Sequence, residues 1–515
     1  MTQSPAQTSG RFHPSVHAAT APDRLAVVVP ATGETRTYGE MEANSNRIAA
    51  MLRALGLKRG DVVAVVMQND AAWFEIVWGV ARCGMYVVPV NWHLSAKEAA
   101  YIVADCDAKV LIASAALADT IASLGEAADN VELRLSVGGP LPGFEPLEDA
   151  IAGHPDTASA EDVEGGWMFY SSGTTGQPKG IKPQLPTIAL GEMNPLVGLI
   201  SGLYGIAPDS VYLSPAPLYH AAPAGWSTTV HRIGGTVVVM DRFDPLEWLR
   251  LVDEYKVTHT QVVPTYLVRL LKLADATRAR YDVSSLQMVV HAAAPCPPEV
   301  KRAALEWLGL IVHEYYAASE GTGFCAIGPQ EWLDHPGSVG RSLLGAVHIV
   351  DEDGNEVAVG EEGEIWFEAI HRFDYHGDPD KTARAFNDKG WNSVGDIGRL
   401  DDDGYLYLTD RVSNMIISGG VNIYPREAED VLVVHFAVED VAVIGTPDEV
   451  MGEQVTAFVL LRDGEVGTPK LAEELIEYCR ERLSHFKCPR EIRFVDSLPR
   501  LPNGKLLKRM LATGS

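Results

Sequence analysis

Val62-Val63-Ala64-Val65-Val66 is an unbroken apolar run of strand length, and such a run is stable only where both faces of the strand are covered. Tyr86-Val87-Val88-Pro89-Val90 repeats the signature. A helix-period pattern spans roughly Ala71 to Cys83 between them, and another follows Ser95. Ahead of the first run, Thr37-Tyr38-Gly39-Glu40 reads as a capping box. The helix it opens carries Met41, Ile48, Leu52 and Leu55 on one face and stops at Gly56. Strands alternating with helices, the strands apolar on both sides, predict an α/β fold with mixed or parallel sheets. The pattern continues less cleanly to about residue 400.

The texture then changes. Asp401-Asp402-Asp403-Gly404 reads as a turn feeding the strand Tyr405-Leu406-Tyr407-Leu408, and Asp410-Arg411 follows. Beyond it, Pro425 opens a short helix through Val434, and strands fit Val441–Ile444 and Val455–Leu461. A helix fits Lys470–Leu483, a strand Ile492–Val495, and a basic tail closes the chain. Residues 1–411 are therefore expected to form a large, multi-part N-terminal domain, and residues 412–515 a small α+β domain. Of the formal net charge of −27, little resides in the small domain, where 12 basic face 16 acidic residues.

Such acidity argues against nucleic acid or an anionic membrane surface as a partner. Any anionic ligand must find positive charge locally. The six cysteines are scattered without a CxxC pair or metal-ligand spacing, which predicts reduced thiols in a cytoplasmic protein. The first seventeen residues hold no apolar core of signal-peptide length, and no run of about 18 apolar residues predicts a membrane-spanning helix.

The sharpest local signal is Tyr170-Ser171-Ser172-Gly173-Thr174-Thr175-Gly176-Gln177-Pro178-Lys179-Gly180. Glycines let a loop aim backbone N–H groups at phosphate oxygens, hydroxyls add donors or a metal ligand, and Lys179 supplies the missing positive charge. Gln177 and Pro178 separate Gly176 from Lys179, so this is not a Walker A loop and a kinase-like P-loop is disfavoured. Five further segments follow in order: His291-Ala292-Ala293-Ala294-Pro295; Tyr316-Ala317-Ala318-Ser319-Glu320; Gly390-Trp391-Asn392-Ser393-Val394-Gly395-Asp396 leading to Asp410-Arg411; Ser418-Gly419-Gly420-Val421-Asn422-Ile423-Tyr424-Pro425; and Leu498-Pro499-Arg500-Leu501-Pro502-Asn503-Gly504-Lys505.

Together these segments resemble the motifs of the adenylate-forming superfamily, which includes acyl-CoA synthetases, peptide-synthetase adenylation domains and luciferases. The resemblance runs over roughly residues 20 to 512. It implies ATP, Mg²⁺ and coenzyme A as ligands. The loop of Ser171, Ser172, Gly173, Thr174, Thr175, Gly176 and Lys179 would hold the phosphates, with Thr174 and Glu320 on the metal. Ala293, Ala294 and Pro295 would line the adenine, Tyr316 would stack on it, Ser319 would meet phosphate, and Asp396 and Arg411 would take the ribose. Lys505 would be the catalytic lysine, and the small domain would be mobile, turning about Ser413 to present Gly419 and Gly420 to an incoming thiol. Ala317 and Ser319 depart from the family's glycine and threonine, and Ser413 from its acidic or lysine pivot.

The implied reaction joins a carboxylic acid to coenzyme A through an acyl-adenylate, releasing AMP and pyrophosphate. His220, Ala221 and Ala222 correspond to the region beside the acyl pocket, His220 as a gate, and His291 and Ala292 to the pocket wall. Leu218 through Trp226 contains no acidic residue to pair with a substrate amine, which disfavours an amino acid. Aliphatic, aryl and polycyclic acids stay open, as do monomer and homodimer and any regulation of Lys505 by acylation. Two other readings stand beside this one: an adenylating enzyme with a carrier-protein acceptor, and a catalytically silent nucleotide-binding protein.

Overall fold

The computed structural model describes residues 11–171, 178–411, 414–419, 421–448, 450–500 and 506–512. The chain divides into two compact units. The first comprises Met1–Gln261, Ala276–Met288 and Arg372–Pro379; the second comprises Val262–Asp275, Val289–His371 and Asp380–Ser515.

The first unit is built around a six-stranded sheet in the order Glu145–Pro146, Leu133–Val137, Val110–Ser114, Val62–Val66, Tyr86–Pro89, Gly166–Trp167, with every pairing parallel. All five residues of Val62–Val66 are buried, as a doubly covered strand requires. The capping box forms in full: Thr37 N–H donates to Glu40 Oε2 at 2.9 Å and Glu40 N–H to Thr37 Oγ1 at 3.2 Å. The helix it opens, Tyr38–Ala54, buries Met41, Ile48 and Leu52 completely. Leu55 departs from the expectation. It lies one residue past the helix, where the chain has left the apolar face, and is half exposed. The next helix, Ala71–Ala81, is apolar nearly all round and buries Trp73 and Trp78. A second set of strands in this unit pairs Val211–Ser214, Thr236–Val239 and Leu25–Val29 in parallel and adds Glu34–Thr37 antiparallel. A three-stranded antiparallel ribbon joins Phe169–Ser171, Lys179–Pro183 and Phe373–Tyr375.

In the second unit, Val312–Ala317 runs parallel to Met288–His291 and then antiparallel to Phe324–Ile327, beside which lie Ser338–Leu344, Leu406–Arg411, Asp396–Leu400, Gly363–Glu368 and Val347–Val350. Gly340, at φ +94°, sits where a Cβ would fall 1.9 Å from the Ala326 carbonyl oxygen, so only glycine permits that strand contact. Later residues of the unit form a five-stranded sheet around a long hairpin, Val438–Asp448 against Gly452–Leu461, packed under helices Pro425–Val433 and Pro469–Arg480. Both hairpin strands outrun the expected Val441–Ile444 and Val455–Leu461, because polar residues on the solvent side of the ladder continue it beyond the apolar core. Two basic residues near the end of the chain are paired within this part of the unit: Arg500 in bidentate fashion with Asp440 on the hairpin, and Lys508 with Glu429 on the helix Pro425–Val433. Among the described residues no helix is long and apolar enough to cross a membrane.

Candidate active site

The phosphate-loop segment is anchored in the first unit. Ser171 ends one ribbon strand and pairs with Lys179, the first residue of the next. Ser172, Gly173, Thr174, Thr175 and Gly176 lie outside the described residues. The two strands are pinned from neighbouring elements. Tyr170 donates its hydroxyl to Asp105 Oδ2 at 2.7 Å, and Tyr101 donates to Asp105 Oδ1 at 2.8 Å. Burial, then the Asp105 hydrogen bond, pushes the Tyr101 phenol up to about 12. Lys179 Nζ lies 3.1 Å from Asp378 Oδ2, three residues past the third ribbon strand. A phosphate approaching Lys179 therefore meets an ammonium already held in place by a carboxylate.

A second cluster forms in the second unit, where three strands bring together residues far apart in sequence. Asp396 opens its strand opposite Arg411 in antiparallel register. Asp396 Oδ2 accepts from the Tyr316 hydroxyl at 2.6 Å, and Oδ1 accepts from Arg411 Nε–H at 2.9 Å. An ionised carboxylate has about four lone-pair sites, so capacity remains on both oxygens. Burial, reinforced by Asp396, holds the Tyr316 phenol well above its usual range, so it is a donor at neutral pH. Burial opposes the Arg411 charge, but Asp396 outweighs it through its charge and its hydrogen bond, with a smaller contribution from Glu320. Directly after the Tyr316 strand, Gly321 N–H donates to Ala318 C=O at 2.9 Å, closing a turn with Ser319 and Glu320 at its centre.

The His291 segment ends in the same unit. Ala293 takes a left-handed φ of +73°, which costs a non-glycine residue of order 1 kcal/mol or more. The Ala293 and Pro295 side chains are exposed, Ala294 is half-buried and Ala292 is buried. His291 itself is wholly buried, 3.5 Å from Glu314 Oε2, an oxygen that also receives Lys301 Nζ at 2.6 Å. In the first unit, half-buried His220 immediately precedes the helix Ala221–Ile233, with its ring 4.5 Å from Tyr219 and half-buried Ala221 and Ala222 following. The Tyr219 hydroxyl in turn lies 2.9 Å from His93 Nδ1. Gly419, at φ +59°, follows the strand Ile416–Ser418, while Gly420, Ser413 and Lys505 lie outside the described residues.

Comparison with known proteins decides the family. The profile of the AMP-binding enzyme family matches residues 15–371, and that of the AMP-binding enzyme C-terminal domain matches residues 427–505. The chain belongs to the AMP-binding enzymes. Among characterised proteins, it is 32% identical to the long-chain-fatty-acid–CoA ligase FadD13 of Mycobacterium tuberculosis, over 96% of each chain. It is 34% identical to feruloyl-CoA synthase of an Amycolatopsis species, over 92% of this chain and 93% of that one. Among solved structures, ATP-bound MatB from Rhodopseudomonas palustris superposes with a TM-score of 0.80 at 27% identity, covering 98% and 99% of the two chains. This AMP-binding enzyme is an acid–thiol ligase that works through an acyl-adenylate.

For an AMP-binding enzyme the second-unit cluster offers what a nucleotide needs: an aromatic face at Tyr316, a carboxylate for hydroxyls at Asp396 and a cation at Arg411. The residues present also fit Mg²⁺. That cation commonly binds through one or two carboxylates plus substrate phosphates rather than in an all-protein cage. Half-buried Glu320 supplies one carboxylate within electrostatic reach of Arg411. Several residues that hold candidate side chains carry no motif signal, Asp105 and Asp378 in the first unit and Lys301 and Glu314 in the second. Each acts by pairing with a residue distant in sequence, which spacing alone does not reveal.

Proposed function

We propose that this AMP-binding enzyme attacks the α-phosphorus of ATP with the carboxylate of its acid substrate and then delivers the acyl group to the thiol of coenzyme A. The observation that supports the assignment of roles is the convergence of Tyr316 and Arg411 on the Asp396 carboxylate. In this reading Tyr316 stacks on adenine beside Ala293, Ala294 and Pro295, and Asp396 and Arg411 hold the ribose. Ser171, Ser172, Gly173, Thr174, Thr175, Gly176 and Lys179 cradle the phosphates with Ser319. Glu320 and Thr174 hold Mg²⁺, which when bound neutralises phosphate charge. Lys505 places an ammonium against the carboxylate and the phosphorus as negative charge develops there. A carboxylate needs no activation as a nucleophile, so positioning and charge neutralisation supply the rate. Residues 412–515 then turn about Ser413, withdrawing Lys505 and presenting Gly419 and Gly420 along the path of the thiol. His220, Ala221, Ala222, His291 and Ala292 border the acyl group. The six free, buried cysteines fit a reducing cytoplasm.

The absence of acid between Leu218 and Trp226 favours an unaminated acid, aliphatic, aryl or polycyclic. Incubating the protein with ATP, Mg²⁺, coenzyme A and pools of these acids, with products read by mass spectrometry, tests the proposal. Acyl-CoA with AMP is the expected outcome. Acyl-adenylate alone would transfer the acceptor role from coenzyme A to a carrier protein. The Lys505→Ala variant should form adenylate about 10²- to 10³-fold more slowly in single turnover. Adenylation at the wild-type rate would remove Lys505 from the mechanism.

A further inference from the structure

Glu320 sits on a two-residue turn, and a carboxylate on a turn is useful to a cation only if the backbone beneath it is fixed. The sequence Gly321-Thr322-Gly323 that follows lets two rings from one neighbouring segment lie directly on that backbone. A Cβ on Gly323 would meet the Phe367 ring at 2.1 Å, and a Cβ on Gly321 would meet the His371 ring at 2.5 Å. Phe367 belongs to the strand Gly363–Glu368, whose last residue is tied by its N–H to the Ala346 carbonyl at 2.9 Å. His371 follows three residues later. Besides covering Gly321, its imidazole hydrogen-bonds the backbone carbonyl of Glu320 itself. Gly321 also needs its left-handed φ of +69° to close the turn. Glycine at 321 thus meets two demands: its φ closes the turn, and its missing side chain leaves room for His371 against the peptide that carries Glu320.

We propose that His371 is a positioning residue for Glu320, clamping the turn so that the carboxylate is oriented before the cation and nucleotide arrive. The proposal rests on the reading that Glu320 holds Mg²⁺. An imidazole N–H donating to the carbonyl fixes the Glu320 peptide plane, and the ring fills the space above Gly321. The carboxylate then loses little freedom on binding the cation. Outer partners of this kind typically alter metal affinity by about 10- to 100-fold when removed.

The test measures Mn²⁺, standing in for Mg²⁺, bound by the full-length protein with ATP and no acid, using electron paramagnetic resonance of the free ion. Three variants are compared with wild type. His371→Phe keeps a ring over Gly321 but has no donor, His371→Gln keeps a donor without the ring, and Glu320→Gln removes the carboxylate charge. The expected result is an Mn²⁺ Kd about 10-fold or more higher in His371→Phe and largely restored in His371→Gln. AMP affinity without metal should be unchanged in both. Wild-type Mn²⁺ affinity in His371→Phe, no recovery in His371→Gln, or an equal loss of AMP affinity would each overturn the assignment of His371. Wild-type affinity in Glu320→Gln would instead remove the metal role of Glu320, and the proposal with it.

Discussion

His231 accepts from the Trp78 indole N–H through Nδ1 at 3.4 Å and donates through Nε2 to the Ala26 carbonyl at 3.0 Å, which uses both nitrogens of a neutral ring. Burial, with a smaller push from His17, outweighs the hydrogen bond to Ala26 and lowers its pKa from 6.5 to about 4, and a second proton would also face the indole N–H. Between those values the unfolded chain binds a proton that the folded chain refuses, and stability falls as pH drops through the window. The expected contribution is about 1.4 kcal/mol per pH unit within it. Denaturant titrations at several pH values should therefore give a shallower pH dependence for His231→Asn than for wild type, whatever the offset between them. Asp396 makes a different prediction at the same scale. Its two protein partners are charge-assisted hydrogen bonds, and the ribose hydroxyls are its proposed further ones. Asp396→Asn should weaken AMP binding about 10- to 100-fold by calorimetry, the size of one or two hydrogen bonds to a charged group.

Elements stand or fall on their ends and their close approaches. The helix Tyr38–Ala54 begins on a reciprocal pair of cap bonds, so Thr37→Ala should cost about 1 kcal/mol of unfolding free energy, with activity per folded molecule unchanged. Gly340→Ala should be far worse. A methyl there meets backbone at 1.9 Å with φ at +94°, and backbone cannot rotate away as a side chain can. Loss of soluble protein, or a drop in melting temperature several times larger than that of Thr37→Ala, is the expected outcome. The cap was legible in the sequence, because a capping box is a local pattern that local hydrogen bonds satisfy. The constraint on Gly340 was not, because the atom it avoids belongs to the Ala326 carbonyl on the adjacent strand.

The molecule as a whole carries a formal net charge of −27 and must admit anionic nucleotide. Its overall field opposes the approach of ATP, while the cations proposed to receive it, Lys179 and Arg411, act only at short range. Salt screens the long-range part first, since the Debye length is about 8 Å at physiological ionic strength. The association rate of ATP should therefore rise as ionic strength increases from about 0.01 M to about 0.15 M, in stopped-flow measurements with Mg²⁺ held constant. A falling rate would mean that local cations dominate the approach. Periodicity along the chain was enough to read the α/β alternation, and the segments that bear Tyr316, Glu320 and Asp396 were legible through their resemblance to the motifs of the adenylate-forming superfamily. Those features depend on neighbours a few residues away, where backbone geometry leaves few choices. The tertiary structure alone decided that Asp396 meets Tyr316 and Arg411 on adjacent strands, that Asp378 holds Lys179, and that His291 turns inward to Glu314 and Lys301. It also seated His371 on the Glu320 turn. Each of these is a pairing across long sequence separations, set by strand register and by the cost of leaving buried charge without a partner, and neither is written in local spacing.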